Sequence, residues 1–241
     1  MTIEAHVYEN SLLDDPVAII GFPSVGLVSS ITASYCITQL GLEPKVGLNG
    51  QTLPPYCIIA NGIAFPPIRI FGGKGRTKTA RDVLVCTAEF APKAEDCYEV
   101  GTAVLRSLRD LGCRQVICLE GMPRLSPEDK MVVCGSDSRA SAMVDKSGLT
   151  RLDNGMVKGL SGIMMAECRS MGMSVVTILC PADQGLPDPG SAVGFLEPLS
   201  RMVKGLKLSP KPLLEEAEQI KKKASEGHAN ANDDSHTILY G

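Results

Sequence analysis

The sequence of 241 residues contains no tryptophan, and its three histidines are His6, His228 and His236. A Ser-His or Cys-His nucleophilic pair would depend on His6, because the other two lie in a polar C-terminal stretch. This scarcity argues against hydrolases of that type. No group of histidines and cysteines has the spacing of zinc ligands, so we expect neither a metal site nor a cofactor.

Long apolar runs and an excess of positive charge are also missing. The longest apolar runs, such as residues 173–180, are far shorter than the roughly 18 residues that a membrane span requires. The acidic N-terminus lacks the features of a signal peptide. The formal net charge is −3, which provides no positive field for a nucleic-acid backbone. We therefore expect a cytoplasmic protein that binds neither membranes nor nucleic acid.

Nine cysteines are present, yet no two form a CxxC pair. Most stand inside apolar runs, as do Cys57, Cys86, Cys118, Cys134 and Cys180. Buried cysteine behaves as a small hydrophobic residue, and free thiols are typical of a reducing cytosol. We interpret these cysteines as core residues rather than as metal ligands or redox groups.

Between residues 16 and 201 the sequence alternates short β-rich runs with longer helical patterns, which is typical of an α/β layer fold with a mainly parallel sheet. The predicted strands cover residues 17–20, 83–87, 115–119, 131–134 and 175–179. The predicted helices are one that starts at Leu27 and ends before Gly41, one that ends at Gly112, and two over residues 155–171 and 191–206.

One segment, residues 56–71, departs from this alternation. Asn61-Gly62 stands between two β-rich runs, and this dipeptide favours a type I′ hairpin, whose two central residues need positive φ. Pro66 and Pro67 cannot donate hydrogen bonds to a neighbouring strand. We expect a hairpin that lies at an edge of the sheet or projects from it, where it offers a surface for self-association.

The composition divides the chain into three parts. Residues 1–209 form the predicted α/β core domain, and residues 210–226 form a predicted helix with acidic residues early and lysines late. Residues 227–241 are predicted to be a flexible tail, because residues 228–236 are small and polar and have no apolar face.

A set of residues is predicted at the carboxyl ends of the strands, where α/β proteins gather their ligands. It comprises the strand-to-helix turn Gly21, Phe22, Pro23 and Ser24, and the carboxylates Glu89, Glu120 and Asp183. The turn could bind an anion through its backbone N–H groups, or it could be a tight connection that needs glycine. The three carboxylates could perform acid–base chemistry if they converge, or they could be solvated and cap helices.

The chain ends on apolar and aromatic residues, Ile238, Leu239, Tyr240 and Gly241, directly after the polar stretch. These residues could fold back onto the body of the protein. Alternatively, they form a tethered docking peptide, in which a hydrophobic residue and a tyrosine fill a pocket and the terminal carboxylate meets a lysine.

Several stretches together resemble the proteasome assembly chaperone family, on the archaeal or prokaryotic branch related to the eukaryotic chaperone two. They are residues 17–28 (VAIIGFPSVGLV), 39–43 (QLGLE), 53–55 (LPP), 66–73 (PPIRIFGG), 111–123 (LGCRQVICLEGMP), 159–167 (GLSGIMMAE) and 186–203 (LPDPGSAVGFLEPLSRMV). The resemblance implies a three-layer α/β/α fold without an established catalytic site.

Some members of that family end in a hydrophobic-tyrosine-any-residue motif that inserts between neighbouring α-subunits of the proteasome core particle. The resemblance implies that Leu239 is the apolar plug, Tyr240 the aromatic anchor and Gly241 the source of the carboxylate. We expect an ATP-independent assembly chaperone or activator that is a homo-oligomer and whose partners are proteasome α-subunits. The alternative is an enzyme acting on a nucleoside-like or carboxylate ligand at the strand ends.

Overall fold

A computed structural model describes residues 3–9, 13–215 and 217–219. In chain order, strands β1 to β11 are Glu4–Val7, Val17–Gly21, Glu43–Asn49, Ile58–Ala60, Ile63–Phe65, Ile68–Gly73, Val83–Ala88, Gln115–Pro123, Val132–Gly135, Thr150–Arg151 and Ser174–Ala182. Helices α1 to α6 are Val28–Leu40, Cys97–Asp110, Ser138–Ser147, Gly159–Glu167, Pro189–Ala192 and Leu196–Met202. Residues 211–215 and 217–219 are also helical. Across these described ranges, no helix has both the length and the apolar character to cross a bilayer.

Nine of the strands form one sheet in the order β1-β3-β6-β7-β2-β8-β11-β9-β10. Its centre, β7-β2-β8-β11, is parallel, whereas β1, β3 and β6 on one side and β9 on the other run antiparallel to their inner neighbours. Helical crossovers produce parallel neighbours and short connections produce antiparallel ones. The predicted α/β fold is confirmed; the sheet is mixed, and its parallel part is the centre.

Helices cover both faces of this sheet. Alternate residues of β2 point in opposite directions, so Ile19 packs with α1 and α6 whereas Ala18 packs with α2 and α4. All five residues of β2 are consequently buried, as expected for a parallel strand between two helical layers. The three-layer α/β/α arrangement implied by the family resemblance is present.

The predicted helix boundaries hold best where glycine ends the helix. Gly41 has a φ of 63° and closes α1 with hydrogen bonds from the N–H groups of Gly41 and Leu42 to the carbonyls of Thr38 and Ile37. Elsewhere the predicted helices are too long. Residues 155–171 contain α4 followed by a 3₁₀ turn, Cys168–Met171, and residues 191–206 contain the end of α5, the 3₁₀ turn Val193–Phe195 and α6.

The hairpin predicted around Asn61-Gly62 is present as β4 and β5, which form a separate two-stranded sheet. Asn61 and Gly62 have φ values of 51° and 77°, as a type I′ turn requires. The side chains of Ile59 and Ile63 near its tip are 64% and 60% exposed. The hairpin therefore projects from the body.

The nine cysteines are free thiols, of which seven are buried and Cys134 is half-buried. Burial raises the pKa of the Cys36 thiol to about 12, so this thiol stays protonated at neutral pH and acts as a core residue. The core interpretation is wrong for Cys57, which is exposed and directly precedes β4 of the projecting hairpin.

Residue 211 begins the helical stretch that was predicted over 210–226, and the later part of that prediction lies outside the described residues. Leu213 is buried in the core between the sheet and α1. The division at residues 209 and 226 stays a prediction.

We predict that Gly21→Ala destabilises the protein by about 1–3 kcal/mol, the typical cost of overpacking. A Cβ at this position would lie 2.5 Å from Cβ of Ala33 and even closer to the carbonyl oxygen of Ser29, so α1 would have to move away from β2. Urea unfolding measures the effect. Gly185→Ala is the control, because nothing lies within 4 Å of its added Cβ, and equal stabilities of the two variants would contradict the prediction.

Candidate functional site

The turn after β2 is tied to β8 and to the N-terminus of α5. The Ser24 hydroxyl accepts a hydrogen bond from the Gly121 N–H at 3.0 Å and lies 2.6 Å from the Ser29 hydroxyl. The Gly26 carbonyl accepts a hydrogen bond from the Asp188 N–H at 2.8 Å. These contacts favour the interpretation of residues 21–26 as a tight connection between β2 and α1.

Glu89 follows β7 and forms an ion pair with Arg69 of β6. The Arg69 side chain is buried, and its guanidinium lies 6.0 Å from the centre of the Phe71 ring. Tyr56 lies nearby, at the base of the hairpin. Burial raises the pKa of its hydroxyl, and the negative charge of Glu89 raises it further. Glu89 is therefore engaged in holding a buried cation beside the hairpin.

Glu120 lies near the end of β8, on the face of the sheet that α2 and α4 cover. The Ser161 hydroxyl of α4 donates a hydrogen bond to Oε2 of Glu120 at 2.8 Å. Burial raises the pKa of this carboxyl, and the Ser161 hydrogen bond offsets only part of the rise. The raised pKa of Glu120 thus comes from desolvation rather than from a second carboxylate.

Asp183 is exposed in the loop after β11, with its carboxylate 3.9 Å from Nε of Arg124. Its backbone N–H donates to the carboxylate of Asp188, which also accepts the Ser191 N–H at 2.9 Å and so caps α5. Burial acts to raise the pKa of Asp188, but the hydrogen bonds from the Ser191 side chain and from the N–H groups of Ser191 and Asp183, together with the charge of Arg124, outweigh it and lower the pKa. Asp188, which sequence reasoning did not single out, is the capping carboxylate of this loop.

The three predicted carboxylates thus have different partners on different elements. Glu89 pairs with Arg69, whose neighbour Phe71 packs into the core on the α1 side of the sheet, whereas Glu120 bonds to α4 on the opposite side. Among the described residues no three histidine, cysteine or acidic side chains form a group suited to a metal ion. The geometry does not assemble a paired acid and base from these residues.

A groove runs along α1 at the same end of the sheet, and its volume is about 620 Å³. We call it the α1 groove; it is lined by Pro23, Leu27, Ser30, Ile31, Ser34, Tyr35, Thr38, Gln39, Thr87, Ala88, Glu89, Pro212 and Leu213. Of the predicted strand-end residues, Pro23 and Glu89 line this groove. Sequence reasoning missed the rest of it, because its walls come from three distant parts of the chain.

Leu27 is the unusual residue of the α1 groove. Its side chain is 40% exposed, and its backbone is in the left-handed region with a φ of 52°. This conformation costs a residue with a Cβ about 1–2 kcal/mol. Such strain is concentrated at functional sites, and here it places an apolar side chain at the mouth of the groove. The sequence does not predict this conformation, because leucine is not a residue type that favours positive φ.

The predicted docking residues Leu239, Tyr240 and Gly241 lie outside the described residues. The helical stretch that precedes them begins beside the α1 groove, which Pro212 and Leu213 help to line.

We predict that the free energy of unfolding of Glu120→Gln, minus that of the parent chain, increases as the pH rises from about 4 to 7. Because folding raises the pKa of Glu120 above its ordinary value of 4.5, the folded state binds the proton more tightly, and stability declines as the pH rises through this range. Glutamine retains an acceptor for Ser161 and cannot ionise. Urea midpoints across this pH range measure the difference; the exposed Glu128→Gln is the control, and parallel pH curves for Glu120→Gln and the parent would contradict the prediction.

Solved structures with the same fold come from Pyrococcus furiosus. PbaA, described as an archaeal homolog of proteasome-assembly chaperone, is 24% identical and has a TM-score of 0.83 over 97% of this chain and 94% of its own. PbaB, described as an archaeal proteasome activator, is 18% identical and has a TM-score of 0.81 over 94% and 99%.

A relative by sequence is an uncharacterized protein of Methanocaldococcus jannaschii, which is 24% identical over 213 residues, or 88% of this chain and 85% of that protein. The model of the PAC2 family matches residues 18–226, from β2 through the last described helix. The match therefore spans both helical layers and the sheet, and the chain belongs to the PAC2 family.

Proposed function

We propose that this protein is a cytoplasmic, ATP-independent assembly chaperone or activator of the proteasome core particle, which it binds through its C-terminal residues. The observation that carries the proposal is the membership of the PAC2 family combined with the terminal sequence Leu239-Tyr240-Gly241. Two proteins that share the fold over nearly their whole length, PbaA and PbaB, bear names that connect them with the proteasome.

Each of the last three residues has a distinct task in the proposed contact. Leu239 fills an apolar part of a pocket between neighbouring α-subunits, and the Tyr240 ring adds apolar area with a hydroxyl at its tip. The terminal carboxylate of Gly241 pairs with a lysine of the pocket, as in other modes of carboxylate recognition. The polar residues 228–236 serve as a spacer, with an end-to-end distance of about 15–20 Å for a flexible coil.

One such peptide binds weakly, because ordering the spacer offsets much of the contact energy. We therefore include self-association in the proposal. Several tails on one homo-oligomer make the later contacts intramolecular, which raises the apparent affinity by about 10²–10⁴. The described structure supports such a role through the projecting hairpin, whose apolar tip offers a contact between copies.

The alternative of an enzyme at the strand ends has less support. An acid–base mechanism requires two groups that reach the same substrate atoms. Glu89 and Glu120 are instead bound on opposite sides of the sheet, one by Arg69 and the other by Ser161.

Removal of residues 239–241 is expected to abolish co-migration with rings of proteasome α-subunits on native gels. Tyr240→Ala is expected to weaken binding at least about tenfold in a surface-immobilised assay, because a buried aromatic anchor is a typical hot spot. Tyr98→Ala is the matched control, since Tyr98 is a tyrosine on α2 that is 56% exposed. If the truncated chain binds the rings as well as the intact one, the proposed docking is wrong.

A further inference from the structure

The hairpin β4–β5 carries apolar side chains on both of its faces. Ile59 pairs with Ala64 and Ile63 pairs with Ala60, so the two isoleucines lie on opposite faces. Both are more than half exposed, and the body of the protein covers neither face at the tip. An isolated two-stranded hairpin is only marginally stable in water, which leaves this tip in need of a covering surface.

The base of the hairpin, in contrast, is held firmly. The rings of Tyr8 and Phe65 meet edge to face with their centres 5.6 Å apart. Pro66 packs against Gly47, where any Cβ would collide with the Pro66 ring and the Tyr8 hydroxyl. We call the hairpin of residues 58–65 the arm. It is held in direction at its base and exposed to solvent at its tip, as expected of a protruding contact element.

The arm and its flanking residues carry no charged side chain. No charged residue occurs between Lys45 and Arg69. The α1 groove has a similar character in the part of the chain that the structure describes, where Glu89 is the one charged residue of its lining and is already paired with Arg69. Among these described residues neither surface has to desolvate an unpaired charge when the two meet, which removes a main penalty for burying them.

The two surfaces also match in their chemical detail. The groove combines the apolar Leu27 and Ile31 with the hydroxyls of Ser30, Ser34 and Thr38. The arm combines isoleucines with the polar Asn61-Gly62 turn, whose amide and backbone groups can exchange hydrogen bonds with such hydroxyls. A volume of about 620 Å³ is within the range of pockets that enclose several tens of atoms, so the groove has room for the tip of the arm.

We propose that the β4–β5 tip of one protomer inserts into the α1 groove of a second copy of this chain. The contact joins two different surfaces and is therefore heterologous, so that every copy both gives an arm and receives one, and a ring results if the rotation closes. This inference rests on the self-association in the proposed function and identifies the two surfaces that carry it.

The position of the α1 groove connects this contact with the tail. Pro212 and Leu213 line the groove, so each inserted arm lies beside the start of the C-terminal helical residues of its neighbour. In a closed ring Pro212 and Leu213 of every chain therefore lie at an equivalent place next to an interface. Such an arrangement presents several tails together, as multivalent docking requires.

Directed cross-linking tests the two surfaces. All variants carry Cys57→Ser, which removes the exposed thiol beside the arm. One tagged chain carries Ile63→Cys in the arm. A second chain, with a different tag, carries Ser34→Cys in the groove. The two chains are co-expressed and treated with a short bis-maleimide. We expect a cross-linked pair that contains both tags, and no cross-linked pair when either chain is expressed alone.

The other outcomes overturn the proposal. Cross-linking of the Ile63→Cys chain to itself would mean that arms pair with arms in a two-fold contact. No cross-linked pair at all would mean that the groove receives something else, such as the chain's own C-terminal segment. Tyr98→Cys replaces Ser34→Cys as the control for random collision, and equal yields from the two would also contradict the inserted arm.

Light scattering provides a second measurement that does not depend on cross-linking. We expect Ile63→Asp to lower the molar mass of the intact oligomer to that of one chain, 25.6 kDa, with an unchanged circular dichroism spectrum. Met156→Asp, at an apolar side chain that is 77% exposed outside both surfaces, is the control and should leave the mass unchanged. A parent chain that is already monomeric at micromolar concentration, or an Ile63→Asp variant of unchanged mass, would overturn the proposal.

Failure here is distinguishable from failure of the proposed function. The chain lacking residues 239–241 should retain its oligomeric mass and its arm-to-groove cross-link while it loses the α-subunit rings. A cross-link that is absent while the tail still mediates binding would reject only the interface.

Discussion

Two helical layers press on the central parallel strands, and the close approach of α1 to β2 fixes the geometry at the carboxyl end of the sheet. β2 is buried along its whole length, and its last residue, Gly21, lies against the backbone of Ser29. This contact determines where α1 starts. It therefore sets the position of Leu27 and of the groove along α1.

The same end of the sheet gathers the features that concern binding. The hairpin arises between β3 and β6 and is followed by the residues that pair with the end of β7. The ion pair of Arg69 with Glu89 lies between the base of the hairpin and the α1 groove. A buried cation of this kind is held by its partner, so the pair ties the hairpin side of the rim to the groove side.

Much of the fold could be predicted from local sequence signals. Gly41 and Asn61-Gly62 specify a helix end and a turn through their tolerance of positive φ, which does not depend on distant residues. The apolar β-rich runs predicted the central strands, because this signal too lies within a few neighbouring residues. The predictions that were wrong concern features without a local signal. The exposure of Cys57 depends on its place beside a projecting arm, and no residue pattern marks the 3₁₀ turn between α5 and α6.

The candidate site was predictable only in part. Chain order places Glu89, Glu120 and Asp183 at strand ends, but the face on which each side chain lies depends on register and on its partner. Burial and Ser161 explain the behaviour of Glu120, and neither is visible in its neighbours along the chain. Leu27 adopts a positive φ, and no local signal for leucine indicates this.

By itself, the sequence determined the class of the fold, the hairpin and the family resemblance, because apolar periodicity, glycine and asparagine act over a few residues. The tertiary structure decided that the sheet is mixed, that the carboxylates lie apart and that the α1 groove lies at the same end of the sheet as the uncharged arm. The physical reason is that a strand's neighbours, the face of a side chain and the walls of a groove come from segments far apart in the chain. Only the packing of both helical layers on one sheet brings those segments together.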